Sequence, residues 1–420
     1  MRIWVFASGE PLPSATSHVR LLRAGNLSNY LQAAGHEVVW WASSYDHFNK
    51  RQVPAQDLVQ PAGGYQLRAL RSPGYKANFG VARLFDHAVL GWRFWRGAIA
   101  AKERPDVIWC SFPPIETALA AVHVGLRLRV PVVLDVRDLW PDVFLDALPK
   151  AMRRVGRICL APYFMASVGA LKRATGLVGV TDSYLQWGLA RAGRAKGRFD
   201  RCFPMGYPDF DIPAASMLEA QAFWRNKGVA GDSFNICFFG TIGRQFDIAT
   251  VINAAAQLQT QSSNARFILC GQGSALDGFR EQADGLANVL FPGHVNAPEI
   301  KALMDLSAIG LAPYHDTENF QLNIPNKIFE YAAGALPVLS GIDGEVGRFL
   351  RARDIGHIYP AQDARLLATL VLRLEGERDK LRRQGERARA LFCAQFDARI
   401  ISADIEGYLR EIVEDDRSRS

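Results

Sequence analysis

Short apolar runs alternate with segments of helical period along almost the whole chain. The runs fall near residues 2–6, 37–42, 66–70, 106–111, 131–136 and 176–180, and again near 234–239, 266–270, 288–291, 308–312 and 336–340. Each is long enough for a strand buried on both faces and too short for a core helix, so the alternation predicts parallel α/β layers. Two doubly wound units follow from the number of runs. The polar stretch after Pro204, through Pro208 and Pro213 to Gly231 and Asp232, breaks the pattern. It predicts a linker over 209–232 between a first domain at 1–208 and a second at 233–395. Beyond Ala361 the period is helical, and 397–414 predicts a last helix, within a tail at 396–420, that packs back on the first domain.

Composition agrees with two cores. The chain has 420 residues, 49% hydrophobic and 22% charged, which are globular values and exclude long disorder or a fibrous repeat. No apolar run reaches the roughly 18 residues a spanning helix needs, and Met1 leads directly into a strand without a signal-peptide pattern, so a cytosolic start is expected. Six scattered cysteines without a CxxC read as reduced thiols. The net charge of +7 is uneven: residues 1–210 carry 27 Lys and Arg against 15 Asp and Glu, and residues 211–420 carry 22 against 27. The first half, at +12, is the one expected to meet an anionic partner. No helix-turn-helix, zinc-finger or RNP-type motif is present, so nucleic acid is not expected and a membrane surface is. Residues 148–165 and 92–96 mix cations with apolar side chains. They suit the headgroup boundary of an anionic leaflet, or equally a core helix with snorkelling arginines.

In open α/β sheets ligands bind beyond the carboxyl ends of the strands, so the loops there carry the candidate chemistry. After the first strand comes a polar loop over 9–18; after the run at 131–136 come Asp135, Arg137, Asp138, Trp140 and Asp142 in close succession. Such a charge cluster either binds something or closes on itself as an ion-pair knot. Residues 240–245 (GTIGRQ) form a small-residue turn that admits a phosphate, with Arg244 as a fork for its oxygens, and 270–274 (CGQGS) forms a second. The second lacks the later glycine of a dinucleotide fingerprint, so an NAD enzyme is not indicated. The most informative stretch is 324–338, IPNKIFEYAAGALPV. Pro325 suits a helix start and Gly334 a left-handed C′ position, predicting a helix of about nine residues. Lys327 and Glu330 share one face near its first turn. A free helix N-terminus with a cation favours phosphate, and a carboxylate accepts from sugar hydroxyls, so a nucleotide-sugar diphosphate fits. The plain alternative is a surface ion pair. His36 and His294 read as turn residues. Asp209 and Asp211 have DxD spacing but sit between prolines, so no cofactor is expected and the chemistry is expected to be metal-independent.

Together, residues 35–38 (GHEV), 41–48 (WASSYDHF), 135–142 (DVRDLWPD), 239–244 (FGTIGR), 288–295 (NVLFPGHV) and 325–338 (PNKIFEYAAGALPV) resemble retaining glycosyltransferases of the GT-B fold, in the family 4 group that builds bacterial surface polysaccharides such as O-antigen and capsule. The resemblance runs over nearly the full length. It implies two Rossmann-like doubly wound domains facing across a cleft that holds the active site, with the nucleotide sugar on the second domain. Glu330 would then take the ribose hydroxyls and Arg244 and Lys327 the diphosphate, with the turns at Gly240, Gly243 and Gly271 beside it. One departure stands out: the family often has a second glutamate eight residues earlier, where this chain has Leu322. Contacts to the donor sugar are therefore expected from the backbone around Gln321, Leu322 and Asn323, with His315 and Asp316 nearby. In the first domain His18, Arg20, Arg137 and Asp138 are expected to bind the acceptor. The implied reaction proceeds on one face of the sugar, the leaving diphosphate taking the acceptor proton. No protein nucleophile is needed, and Asp138, Arg244, Lys327 and Glu330 form the expected catalytic set. Hexosyl or N-acetylhexosaminyl transfer is implied, from a UDP-linked donor to a lipid-linked or polysaccharide acceptor, by a peripheral protein on the inner face of the membrane. A catalytically silent GT-B binding protein and a sugar-nucleotide epimerase are the alternatives.

Overall fold

The computed structural model of the protein describes residues 1–13, 20–54, 58, 64–78, 80–146, 148–209, 211–243 and 245–419. The chain divides into two compact units, one of residues 1–206 with 398–420 and one of residues 207–397.

In the first unit the strands are β1 (Arg2–Phe6), β2 (Glu37–Ser43), β5 (Gln66–Leu70), β6 (Val107–Phe112), β7 (Val132–Val136), β8 (Gly176–Gly179) and β9 (Arg201–Cys202), with a small hairpin of β3 (Tyr45–Asp46) and β4 (Arg51–Gln52). The seven long-range strands form one parallel sheet in the order β5-β2-β1-β6-β7-β8-β9, with Ile3 beside Val38 on one side and Val107 on the other. Every residue of β6 and β7 is buried, which is why these strands read as apolar runs, with Ser111 and Asp135 as their single polar positions. On one face Ile3, Val5, Trp40 and Trp109 pack with Ile405, Tyr408, Leu409 and Ile412 of the closing helix Ala398–Arg419. His36 secures that helix through a 2.9 Å contact to Glu406, so its role is structural and reaches farther than a local turn. The helices Val81–Ala100, Ile115–Leu128 and Ala161–Arg173 pack side by side in this unit.

The second unit holds β10 (Phe234–Phe239), β11 (Ala265–Cys270), β12 (Val289–Leu290), β13 (Ile309–Ala312), β14 (Val338–Ser340) and β15 (Gly356–Ile358), parallel in the order β12-β11-β10-β13-β14-β15. Strand order thus reverses between β1 and β6 and between β10 and β13, the places where an open sheet leaves a crevice for a ligand. Both sheets are the doubly wound units expected from the pattern. The stretch 209–232 departs from the linker expected there: it carries the helix Ala214–Asn226, whose buried Trp224 donates its indole N–H to the Glu299 carbonyl at 2.7 Å. Ala220 and Trp224 are its buried positions, within a run rich in alanine and other helix-forming residues. Cys110, Cys237 and Cys270 are buried free thiols. No helix among the described residues is long and apolar enough to cross a membrane.

Candidate active site

In the second unit the site is built on the helix Asn326–Ala333, between β13 and β14. Its N-cap is Pro325, held at φ −62° and ψ 150°, which has no side-chain oxygen to give the first N–H groups. At the other end the N–H of Ala335 reaches the Ala332 carbonyl at 3.1 Å and that of Leu336 reaches Tyr331 at 3.0 Å. This is a Schellman closure with Ala335, at φ 56°, in the left-handed position. Gly334, expected there, is one place earlier at φ −85°. Its lack of a side chain has another cause: a Cβ would lie 2.4 Å from Met304 Sδ. Arg389 completes the end, donating to the Ala333 carbonyl at 2.9 Å while gripping Asp209 at 2.7 and 3.1 Å. Asp209, the first aspartate of the DxD spacing, is therefore an ion-pair partner of a helix-capping arginine.

Lys327 and Glu330 are 7% and 5% exposed, so they are not the surface ion pair of the plain alternative. The Lys327 ammonium donates to the Phe239 carbonyl at the end of β10 and lies 4.7 and 4.8 Å from the ring centroids of Phe238 and Phe239. Tyr331, one helical turn on, donates to the carbonyls of Cys237 at 3.1 Å and Leu311 at 2.8 Å. It ties the helix across the β10–β13 reversal, and burial pushes its phenol far above the ordinary range, so it stays neutral.

Around the ammonium the strand-end turns interlock. Gly240 bonds back to Cys270 at 3.1 Å, Ile242 to Gln272 at 2.9 Å, and Gly271 to Gly293 at 2.7 Å. Gly271 has φ 143°, and a Cβ there would stand 1.8 Å from the Gly240 carbonyl oxygen, so only glycine fits. Gly240 is next to the ammonium, 3.3 Å separating the lysine Nζ from where its Cβ would be. Gly243 continues the same turn; Arg244 lies outside the described residues. His315 follows β13 and donates its N–H to Gln245 at 3.0 Å, which closes the turn from the other side. Leu322 ends the short helix Glu318–Gln321. Asn323 and Asn326 each hold a buried side-chain carbonyl oxygen with no hydrogen-bond partner. Unpaired buried acceptors of this kind are uncommon and costly, and each has room in its valence for a donor from outside the chain. Asn323 was among the residues expected here; Asn326 was not, although its place at the first position of the helix was the available signal.

In the first unit the structure resolves the charge cluster of 135–142 into internal pairs. Asp135, fully buried, accepts from Arg23 at 2.9 and 3.2 Å, and Arg23 also holds the Phe203 and Pro204 carbonyls. Asp142 pairs with Arg191 and accepts from the Trp187 indole at 3.0 Å. Arg137 bonds Glu10 and Ser111, joining the loops after β1 and β7 to the end of β6 at the strand-order reversal. Burial works against its charge, but Glu10 and Asp135 more than offset this and raise its pKa, so it remains a cation. Asp138 accepts from the Leu139 N–H at 3.2 Å and is partly exposed. Arg20 is exposed and His18 lies outside the described residues. Among the described residues no group of three His, Cys, Asp or Glu side chains has metal-binding geometry.

The family model for the glycosyl transferase 4-like domain matches residues 22–199, and that for glycosyl transferases group 1 matches residues 233–376. No curated protein matches the chain by sequence. Its fold is similar to that of Anabaena HepE (Alr3699), solved with UDP and glucose, at 14% identity and a TM-score of 0.69, covering 98% of this chain and 100% of that one. Sucrose-phosphate synthase from Thermosynechococcus elongatus gives 17% identity and 0.70, covering 98% of each chain. WaaG, a glycosyltransferase involved in lipopolysaccharide biosynthesis, gives 16% and 0.63, covering 96% of this chain and 99% of that one.

Proposed function

The chain belongs to the glycosyltransferases of the GT-B fold, and we propose that it is a retaining enzyme that moves a hexosyl or N-acetylhexosaminyl group from a UDP-linked donor to a lipid-linked or polysaccharide acceptor in surface-glycan synthesis. The observation that carries this reading is the pair Lys327 and Glu330, buried beside an uncapped helix N-terminus and two glycine turns, with unpaired carbonyl oxygens on Asn323 and Asn326. HepE, similar in fold, was solved with UDP, UDP-glucose, and UDP with glucose, which supports the choice of nucleotide. Lys327 and the helix N-terminus hold the diphosphate and gain strength as charge builds on it, since fixed donors in a water-poor site favour the more anionic transition state. The C1–oxygen bond breaks toward the diphosphate, the acceptor oxygen bonds C1 on the same face, and its proton passes to the leaving phosphate oxygen. Glu330 takes the ribose hydroxyls. Asp138 orients the acceptor hydroxyl, with His18, Arg20 and Arg137 on the acceptor side. No metal enters this scheme.

The acceptor side also faces a membrane. Met152, Val155, Ile158 and Met165 are exposed beside Arg154 and Arg157, as are Phe85, Trp92 and Trp95 beside Arg93 and Arg96. Exposed apolar groups interleaved with cations match an anionic leaflet, and support a peripheral position on its inner face.

Glu330→Gln tests the central assignment. It keeps size and helix propensity but turns an accepting oxygen into a donor. Loss of a hydrogen bond to a charged group, roughly 1.5–3 kcal/mol, corresponds to a 10- to 150-fold loss of donor affinity or turnover. A 2′-deoxy donor should lose less on the same substitution. Wild-type turnover of the ribose donor by Glu330→Gln would refute the role given to it.

A further inference from the structure

A second cluster lies in the first unit, among the segments that follow β2, β5 and β7. Lys50, in the β3–β4 hairpin loop, donates to the Asn78 side chain at 2.5 Å, and Arg83, in the first turn of Val81–Ala100, donates to the Asn78 carbonyl at 2.6 Å. Both cations face one ring: Lys50 Nζ is 4.9 Å and the Arg83 guanidinium 5.4 Å from the Tyr75 centroid, and Arg83 is also 4.7 Å from that of Trp140. Two like charges held over one phenol repel each other, so they need an anion between or beside them. The carboxylates that act on them from farther off are Asp46, on Lys50, and Glu116, on Arg83. Asp46 is taken up by the N–H groups of Phe48 and Asn49, at 2.8 and 3.0 Å. Asp86 is buried and accepts from Gly74 at 2.6 Å. Glu116 accepts from the Tyr163 hydroxyl at 3.1 Å, and burial pushes its carboxyl up to about 7.

The histidines do not supply the anion either. His47 Nδ1 accepts from the Tyr75 hydroxyl at 2.6 Å, and burial followed by Lys50 and Arg83 holds its pKa down to about 4. His87, 4% exposed, lies 5.9 Å from the Tyr75 ring and 5.7 Å from Trp140, centroid to centroid. Its Nδ1 is buried without a hydrogen-bond partner, and so is Nε of Arg83. The 3.8 Å approach of His87 to Glu116 is not an ion pair, because burial keeps the imidazole neutral. The cluster therefore combines two cations over one ring, two unpaired buried polar atoms and two aromatic walls. At its edge Val81 and Phe85 stand 82% and 60% exposed on the helix that carries Arg83.

We propose that Lys50 and Arg83, against Tyr75 and Trp140, form a binding site for the phosphate of a phosphate-bearing acceptor, with the exposed Val81 and Phe85 beside its apolar part. The proposal rests on the reading of this chain as a sugar transferase and names the anionic group of its acceptor. A phosphate oxygen fits the fork of Arg83 and the point charge of Lys50, both already turned toward Asn78.

The test uses the full chain with UDP saturating, so that the diphosphate site of the second unit is occupied. Inorganic pyrophosphate is titrated by calorimetry, and neutral phosphatidylcholine vesicles with or without a prenyl diphosphate are tested by flotation. Wild type should bind, and Lys50→Ala and Arg83→Gln should each weaken binding at least tenfold, Arg83→Lys less so, while UDP affinity and the melting midpoint stay as in wild type. Arg93→Gln, farther along the same helix, should not weaken pyrophosphate binding. Binding of pyrophosphate alone identifies the headgroup as sufficient, and binding only of the prenyl diphosphate vesicles identifies a lipid source; both support the site. If folded Lys50→Ala and Arg83→Gln bind both probes as wild type does, or wild type binds neither, the proposal is overturned. Loss of UDP binding in wild type would instead overturn the donor reading, since the comparison among Lys50 and Arg83 variants does not depend on it.

Discussion

At the scale of single residues, buried charge is the organising fact. Lys327, 7% exposed, donates its ammonium to the Phe239 carbonyl among aromatic rings, an arrangement whose desolvation cost a bound anion would offset. Lys327→Met preserves the packing and removes the cost, so the melting midpoint should hold or rise while UDP affinity drops about tenfold or more. Uridine, which lacks the diphosphate, should be almost indifferent; equal losses for both ligands would contradict the assignment. Glu116 makes a pH prediction. Burial raises its pKa from 4.5 to about 7, so between those values the folded chain holds a proton that the unfolded chain has released. Its contribution to stability is therefore largest below pH 4.5 and falls as pH rises through 7, by at most about 3 kcal/mol. His87 and His47 act in the opposite sense: their pKa values fall from 6.5 to about 3 and about 4, so stability is lost as pH drops below 6.5. Glu116→Gln should remove the fall of the melting midpoint as pH rises from 6.5 through 7 and steepen the acid flank below 6.5, where Glu116 no longer opposes His87 and His47; a pH series of thermal melts would show both.

Among elements, the ends of the Asn326–Ala333 helix matter more than its middle. The positive φ of Ala335 strains a residue with a Cβ, and Ala335→Gly should relieve it, raising stability by roughly 0.5–1 kcal/mol after the entropy cost of glycine. Gly271→Ala does the reverse. The new methyl would meet the Gly240 carbonyl at 1.8 Å, so the turns after β10 and β11 must part, with a loss of about 2 kcal/mol or more and weaker UDP binding. Chemical denaturation of the two variants gives both numbers, and a stable, fully UDP-binding Gly271→Ala would refute the interlocked-turn account.

For the whole molecule, charge and exposed apolar groups coincide in the first unit. Residues 1–210 carry the positive excess, and the arginines at 153, 154 and 157 stand among exposed Met152, Val155 and Ile158. The protein should bind anionic vesicles and release with salt, because exposed charges are screened over about 8–10 Å at ordinary ionic strength. Changing Arg153, Arg154 and Arg157 together to Glu should abolish most of this binding and leave UDP affinity intact. Equal binding to neutral and anionic vesicles would rule out electrostatic docking.

The apolar runs by themselves determined the two parallel sheets, because a strand buried on both faces must be apolar at most successive positions, and β6, β7 and β10 are, each with a single polar residue. They left out β9 and β15, whose two and three residues are only partly buried, and the helix Ala214–Asn226, which buries only Ala220 and Trp224. The Lys327–Glu330 block was legible because a short helix brings i and i+3 together within one stretch of sequence. Everything that depends on remote pairing was decided by the tertiary structure. Arg137 meets Glu10 across 127 positions and Arg23 meets Asp135 across 112, which turned a suspected cluster of free charge into a network. Lys50 and Arg83 come from a hairpin loop and a helix start, and neither local propensity nor spacing relates them. Local pattern reports which residues leave water, whereas the partner of a buried charge is set by how the strands are ordered.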